Sequence, residues 1–301
     1  MTEEEFTLSD RITKIKSINE QYDLESNAYL SFSGGKDSTV LHYLLDEALP
    51  DNNIPRVYLN TGIEYTLVLN FAKEMAKNDS RFVIYNVGKN IRETLDRVGY
   101  PFKSKEHSKK LEDYRSGIKP KSNRKYFRDE PSTFNQCPMV LMYQIKEPYT
   151  LKISDRCCFE FKKKPVAEYS RKNKRPITIT GMMREEGGQR LFLPCVLTDK
   201  SGKLKKFHPL AVVSHAWEDW YIRERNIKLC ELYYPPYNFV RTGCKGCPFS
   251  LDLQKQLDIM ALYLPAERKQ CENIWKPVYE EYRRIGYRLD KRPNLFDDLL
   301  K

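Results

Sequence analysis

Apolar residues in this chain fall into short β-prone runs separated by stretches of helical spacing. Ala28, Tyr29, Leu30 and Phe32 make the first run, over 28–32, and similar runs follow at 56–60, 81–87 and 176–180. Between them Val40, Leu41, Leu44, Leu45 and Ala48 recur every three or four positions, and 65–77 repeats the pattern, so helices are expected over 38–48 and 65–77. Strands and helices alternating at this spacing make βαβ units. The expected fold is therefore α/β: a doubly wound, mostly parallel sheet of about five strands, with ligands held beyond the carboxyl ends of the strands. Residues 1–26 are polar and charged with a helical look, and are expected to lie on the domain outside its sheet. Helical patterns return at 134–146, at 162–173 and through the last fifty residues, where Tyr263, Trp275, Tyr279 and Tyr282 have spacings that suit packing.

The first run leads into Ser33-Gly34-Gly35-Lys36-Asp37-Ser38, and the helix begins there. Glycines at such a switch permit backbone conformations and close approaches that a Cβ would obstruct, so successive N–H groups can face an anion at the helix N-terminus. Lys36 adds a mobile positive charge, Ser33 and Ser38 add hydroxyls, and Asp37 is placed to hold a magnesium ion brought by a polyphosphate. The spacing differs from Gly-x4-Gly-Lys-Ser/Thr, so this is not that phosphate loop. Asn60, Thr61 and Gly62 end the second run and Gly181 follows the fourth, so all four are expected to line the same crevice.

Charge and composition narrow the partners. Fifty-two Lys+Arg against 41 Asp+Glu give a net charge of +11, a bias towards polyanions that suits a phosphate-rich ligand and a nucleic acid alike. Residues 101–130 hold ten Lys/Arg and five Asp/Glu and read as a basic insertion, either a solvated, partly mobile lid or a contact surface for tRNA or DNA. The acidic start and the absence of a long apolar run make a cytoplasmic protein without membrane association the expectation.

Eight cysteines in a reducing compartment point to metal ligands, nucleophiles or packing residues. Cys157 and Cys158 are adjacent, and Cys244 and Cys247 form a Cys-x2-Cys pair. Together they offer four thiolates, which suit a 4Fe-4S cluster first, because neighbouring residues fit poorly on a single tetrahedral ion; one zinc ion or a redox-active thiol pair are the other readings. Cys137, Cys195, Cys230 and Cys271 lack such pairing and read as small buried hydrophobes. The four histidines show no ligand-like spacing.

With loop, strand-end motif and cysteine pairs together, the chain resembles the phosphoadenosine phosphosulfate reductase family of the PP-loop ATP pyrophosphatase, or adenine nucleotide alpha hydrolase-like, superfamily. The resemblance spans residues 28–249. Ser33–Ser38 looks like the pyrophosphate loop and Leu59-Asn60-Thr61-Gly62-Ile63-Glu64 like the second-strand motif beside the nucleotide. Cys157-Cys158-Phe-Glu-Phe-Lys162-Lys-Lys-Pro165 is similar to a Cys-Cys-x3-Lys-x2-Pro cluster segment. Gly181-Met-Met-Arg184-Glu185-Glu186-Gly-Gly-Gln-Arg190 looks like Gly-x-Arg-x2-Glu-Ser-x2-Arg, with the arginine displaced by one and Gly187 in place of serine. His208-Pro209-Leu210, Trp217 and Tyr221 then precede Arg241-Thr-Gly-Cys244-Lys-Gly-Cys247 in the family's order.

The resemblance implies an N-terminal helical segment (1–26), a nucleotide-binding domain (27–215) and a helical, iron-sulfur-binding C-terminal region (216–301). It implies an adenine nucleotide, ATP with Mg2+, on the loop and strand ends, with Arg184, Arg190 and Arg241 on phosphate or acceptor, and a 4Fe-4S cluster on the four paired cysteines. Sulfonucleotide reductases of the family use a cysteine in a C-terminal Glu-Cys-Gly-x-His segment, and no such segment stands here; their loops also tend to be degenerate, whereas this one is intact. The expected activity is therefore AMP-forming ATP pyrophosphatase chemistry: Lys36 and Asp37 assist adenylation of an acceptor, tRNA or DNA among the candidates. A sulfur-donor protein of cysteine desulfurase or thioredoxin type would supply the sulfur. Sulfonucleotide reduction, with the thiol coming from another chain or from Cys271, and a non-catalytic nucleotide and redox sensor are the alternatives. Asp37, Glu64 and Glu185 are unranked candidates for a general base.

Overall fold

β1 (Ala28–Phe32) carries buried side chains on both faces, as a strand inside a parallel sheet must. The computed structural model describes residues 1–146 and 148–291 and places this strand at the centre of a six-stranded sheet of order β3-β2-β1-β4-β6-β5. The other strands are β2 (Arg56–Asn60), β3 (Phe82–Asn86), β4 (Ile177–Ile179), β5 (Val196–Thr198) and β6 (Leu204–Phe207). Leu30 pairs in parallel with Arg56 on one side and Ile179 on the other, and only β5 runs antiparallel, against β6. The sheet thus has six strands where about five were expected.

The helices Lys36–Ala48 and Thr66–Asn78 join β1 to β2 and β2 to β3. Strand order reverses between β1 and β4, and the crevice beyond their carboxyl ends is where such sheets accept ligands. The first helix buries Val40, Leu41, Leu44, Leu45 and Ala48, the stripe read from spacing. Burial of each of the larger aliphatics contributes about 1.5–3 kcal/mol. Phe32 packs edge-on against Phe82, and Tyr29 lies edge-on to Tyr169 while its hydroxyl meets that of Thr178 at 2.8 Å.

The chain gathers into two compact units. One comprises residues 1–87 with 164–243 and contains the sheet; the other comprises 88–163 with 244–301. Those boundaries cut the chain differently from the segments 27–215 and 216–301 drawn from sequence, because 216–243 gathers with the sheet and 88–163 with the C-terminal helices. Residues 292–301, the end of the expected C-terminal region, lie outside the described residues.

Within the sheet-bearing unit the helix Glu3–Tyr22 starts at Thr2, whose side chain accepts from Glu5 N–H while Glu5 returns the bond, a reciprocal N-terminal cap. In the second unit the basic insertion forms the helices Lys105–Arg115 and Lys121–Tyr126. Phe102, Leu111, Tyr126 and Phe127 are at most 1% exposed, so the solvated lid gives way to a segment with its own core. The stretch 134–146 is a 3-10 helix only from Met139 to Ile145, since Pro138 immediately precedes it. Helices Leu253–Tyr263, Pro265–Ile274 and Lys276–Ile285 follow as expected; Trp275, Tyr279 and Tyr282 are fully buried, but Tyr263 is exposed, against its assignment to packing. Among the described residues no helix is long and apolar enough to cross a membrane.

Candidate functional site

The turn after β1 is shaped by contacts only glycine tolerates. Gly34 has φ +71°, and a Cβ there would lie 2.8 Å from Val68 Cγ1. Gly181, after β4, approaches so closely that its Cβ would fall 2.7 Å from the Asp37 carbonyl oxygen. Missing side chains at the ends of β1 and β4 therefore let the loop settle at the switch point. Gly35 caps the helix without a side-chain bond, which leaves first-turn amides for other acceptors. Around them stand hydroxyls: Ser33 Oγ lies 3.0 Å from Ser38 Oγ, Ser33 N–H donates to Ser38 Oγ at 3.1 Å, and Lys36 N–H donates to Tyr233 Oη at 2.9 Å. Phosphate oxygens would exchange these neutral acceptors for charged ones, a stronger bond at a positive helix end.

Lys36 Nζ sits 3.0 Å from Glu218 Oε2 and 3.1 Å from Asp219 Oδ1. Burial works against its ammonium, but the two carboxylates outweigh burial and raise its pKa. Glu218 is fully buried, and neither of its oxygens receives an aligned hydrogen bond despite the short ion-pair contact. Burial first, then the Asp37 carboxylate, push Glu218 up to about 7, against the pull of Lys36. Sequence reasoning missed Glu218 and Asp219. The available signal was their place one helical turn beyond Ser214, whose side chain caps the helix His215–Glu224.

The other strand-end residues sort unevenly. Thr61 donates its N–H at 2.9 Å and its hydroxyl at 2.7 Å to Glu64, so that carboxylate shapes the turn at Gly62, where φ is +82°. Asn60 donates to Asn86 at 2.8 Å. Arg190 and Arg241 converge on the nearly buried carboxylate of Glu186, with Arg241 at 2.9 Å. Burial, then Arg241, lower the Arg190 pKa, while the charge of Asp37 opposes them, so this pair reaches the field of the loop. Arg184 instead donates to the Leu193 carbonyl at 2.7 Å, and Glu185 accepts from the His215 N–H.

All four paired cysteines lie in the second unit and are reduced, outside any disulfide. Cys157 is buried, and the other three are partly exposed. Burial, then the Cys244, Cys158 and Cys247 thiols, hold the Cys157 pKa well above the usual thiol range. The two sulfur-bearing segments therefore converge closely enough to feel one another's charge. Cys157 and Cys158 lead into a π-helical turn, Phe159–Lys163, where successive side chains diverge around the axis. On the opposite segment, aromatic donors take the loop carbonyls: Trp275 Nε1 bonds Lys245 O at 3.0 Å, Tyr279 bonds Gly246 O, and Tyr282 bonds Pro248 O at 2.9 Å. Gly246 has φ +57°, and a Cβ there would meet Cys271 Sγ at 2.8 Å. Cys271 is thus a packing residue beneath the Cys-x2-Cys turn, and its burial pushes its pKa up to about 12. It is the small buried hydrophobe expected from its lack of pairing, which counts against the alternative that uses it as a late nucleophile. Cys137 and Cys230 are buried as expected, whereas Cys195 is partly exposed and 3.9 Å from an Arg11 nitrogen. Four thiols whose charges reach one another, with the nearby carbonyls already bonded, make a soft donor set of the chemistry that four-thiolate groups require.

His42, Asp46 and Asp79 also bring three ligand atoms within 4.8 Å of one another. Arg56 and Arg81 already occupy these carboxylates, with Arg56 at 2.6 Å from Asp46, and burial lowers the His42 pKa to about 4. This is a charge-balanced structural network.

The profile of the phosphoadenosine phosphosulfate reductase domain matches residues 27–250. The chain belongs to this family. A curated relative, an uncharacterized protein of Methanocaldococcus jannaschii, is 26% identical over 296 residues, covering 94% of this chain and 56% of its own length. The chain thus spans about half of that relative. Among solved structures, phosphoadenylyl-sulfate reductase from Candida auris in a phosphate complex aligns at 14% identity over 68% of this chain and 76% of its own, with a TM-score of 0.39. The NH3-dependent NAD synthetase of Campylobacter jejuni aligns at 14% identity over 98% and 99%, with a TM-score of 0.43. Both are distant likenesses.

Proposed function

We propose that this family member binds MgATP on the Ser33–Ser38 loop, releases pyrophosphate by adenylating an acceptor, and supports transfer of sulfur to it, with a 4Fe-4S cluster on Cys157, Cys158, Cys244 and Cys247. The observation that carries the reading is the loop itself: intact, glycine-shaped, free of a side-chain helix cap and set at the sheet's switch point. Such a loop is made for the β,γ-phosphates of a triphosphate. The acceptor oxygen attacks the α-phosphorus, the bond to the β-phosphate oxygen breaks, and pyrophosphate leaves with its new charge on the loop amides and Lys36. Asp37 holds the magnesium ion. Sulfide-level sulfur from a donor protein then attacks the activated carbon, and AMP departs with the acceptor oxygen. When bound, the cluster supplies iron that can hold sulfur for transfer. Lys36 must exchange Glu218 and Asp219 for phosphate as ATP enters, so the carboxylates keep the cation oriented towards the loop beforehand. Burial of Cys271 supports this reading over sulfonucleotide reduction with that thiol.

The test is an anaerobic incubation with radiolabelled ATP, scored for AMP and pyrophosphate with and without tRNA or duplex DNA. AMP formation stimulated by one acceptor is the expected result. Thioredoxin-dependent sulfite production from a sulfonucleotide, without ATP cleavage, would replace this function by reduction.

A further inference from the structure

Charge is distributed very unevenly between the two units. Residues 88–163 with 244–301 hold 29 Lys+Arg and 19 Asp+Glu, a net of +10 out of the chain's +11. The sheet-bearing unit is close to neutral. A polyanion would therefore be drawn to the cysteine-bearing unit.

That unit also has a pocket of about 330 Å³ whose wall includes Cys158, Phe159, Lys105, Arg156, Lys163 and Glu160. Two features set it apart from an ordinary charged surface. Phe159 is 52% exposed while Phe161 on the same turn is buried, so one ring face is open to a ligand. Glu160 does not offset the basic wall, because Lys89 Nζ lies 2.6 Å from its carboxylate and Arg97 3.7 Å. Lys105, Arg156 and Lys163 thus share the wall with the aromatic ring, Arg156 also 3.3 Å from the Glu112 carboxylate, and Asp155 is the remaining carboxylate in the wall. The volume lies at the small end of ligand pockets.

We infer that this pocket seats one unstacked nucleotide of a single-stranded nucleic acid, with the base on the Phe159 ring and the flanking phosphates on Lys105, Arg156 and Lys163. An exposed aromatic among dispersed cations is the arrangement that binds single strands, since every base has a face to stack and every linkage a charge to neutralise. A duplex must first unstack and unpair a base, at a cost of a few kcal/mol, before it can offer one to the ring, so it should bind more weakly. What happens to the nucleotide rests on the sulfur-transfer reading; the seat does not.

The experiment uses the full chain, purified anaerobically, and fluorescence anisotropy with labelled oligonucleotides of about twelve residues, as RNA, as DNA and as the DNA duplex. Single strands are expected to bind more tightly than duplex, the RNA and DNA arms telling which sugar is preferred. The double reversal Lys105→Glu with Lys163→Glu should weaken binding at least about tenfold and flatten the slope of log affinity against log salt by about 1.4. Phe159→Ala should weaken it about tenfold with the salt slope unchanged, and Phe159→Tyr should restore it. Circular dichroism verifies that each variant is folded. Failure of both single strands to bind, equal binding of the duplex, or binding that these variants leave unaltered overturns the seat. Loss of a sulfur-donor protein in the same variants, with no oligonucleotide bound, overturns it in favour of a protein partner. If single strands bind through these residues but wild-type protein never forms AMP, the seat stands and the adenylation reading falls.

Discussion

In the sheet-bearing unit the candidate residues hang from strand ends and a helix N-terminus, whereas in the cysteine-bearing unit they stand on irregular backbone that side chains hold in place. Ser33–Ser38 owes its geometry to what is missing, the Cβ atoms of Gly34 and Gly181. The Cys244–Cys247 turn owes its geometry to what is added, the donors of Trp275, Tyr279 and Tyr282. A site made by backbone should be most sensitive to added bulk. A site made by side chains should be most sensitive to loss of a ligand.

That contrast predicts separable failures. Cys244→Ser should abolish iron binding, read as loss of the visible absorption of anaerobically reconstituted protein and of iron by elemental analysis, while ATP still binds the loop. One zinc per chain and no iron in the wild type would remove the cluster from the proposal. Lys36→Ala should lower AMP formation about 10²- to 10³-fold, by analogy with removal of a single group that stabilises a developing anion, with the iron content unchanged. Iron lost together with activity in that variant would show the two units to be coupled.

Gly34→Ala sharpens the same contrast at lower energy. The left-handed φ and the 2.8 Å approach to Val68 Cγ1 should together destabilise the protein by about 1–3 kcal/mol, measured by denaturant unfolding, with weaker ATP binding. An alanine tolerated without loss in either measurement would mean that the loop is not locked by sterics.

The two units were also unequally legible in the sequence. β1 to β4 and the helix after β1 announce themselves because buried parallel strands and an amphipathic stripe leave dense apolar patterns. β5 and β6 do not: Val196–Thr198 is largely exposed and Leu204–Phe207 places two lysines between its buried ends, so neither makes an apolar run. Their signal was the turn between them, where the Asp199 carboxylate accepts from Ser201 and Lys203 N–H and Gly202 supplies a positive φ. Pairs of cysteines were legible as chemistry, but not the aromatic donors that hold one pair, since a buried tyrosine and a hydrogen-bonded buried tyrosine have the same spacing. Glu218 was hidden for a different reason. A glutamate between tryptophan and aspartate reads as a solvated helix face until the fold turns it towards Lys36.

Glu218 gives the finest cut on how the backbone-built site is tuned. Its carboxyl titrates near 4.5 when unperturbed and at about 7 in the fold, so between those values the folded protein keeps a proton that the unfolded chain has released. The stability this contributes is complete below about pH 4.5 and is lost as pH rises through 7. Glu218→Gln cannot titrate. Unfolding free energies of wild type and variant, taken against pH, should therefore diverge by about 2–3 kcal/mol across that window, wild type falling relative to the variant. The same charge should appear in ATP binding: as Glu218 ionises above pH 7 it competes with phosphate for Lys36, so the wild-type KM for ATP should rise a few-fold between pH 6 and 8 while that of Glu218→Gln stays level. Parallel KM profiles in the two proteins would mean that Lys36 leaves the carboxylate without penalty, and the loop's preference for triphosphate would then rest on its amides alone.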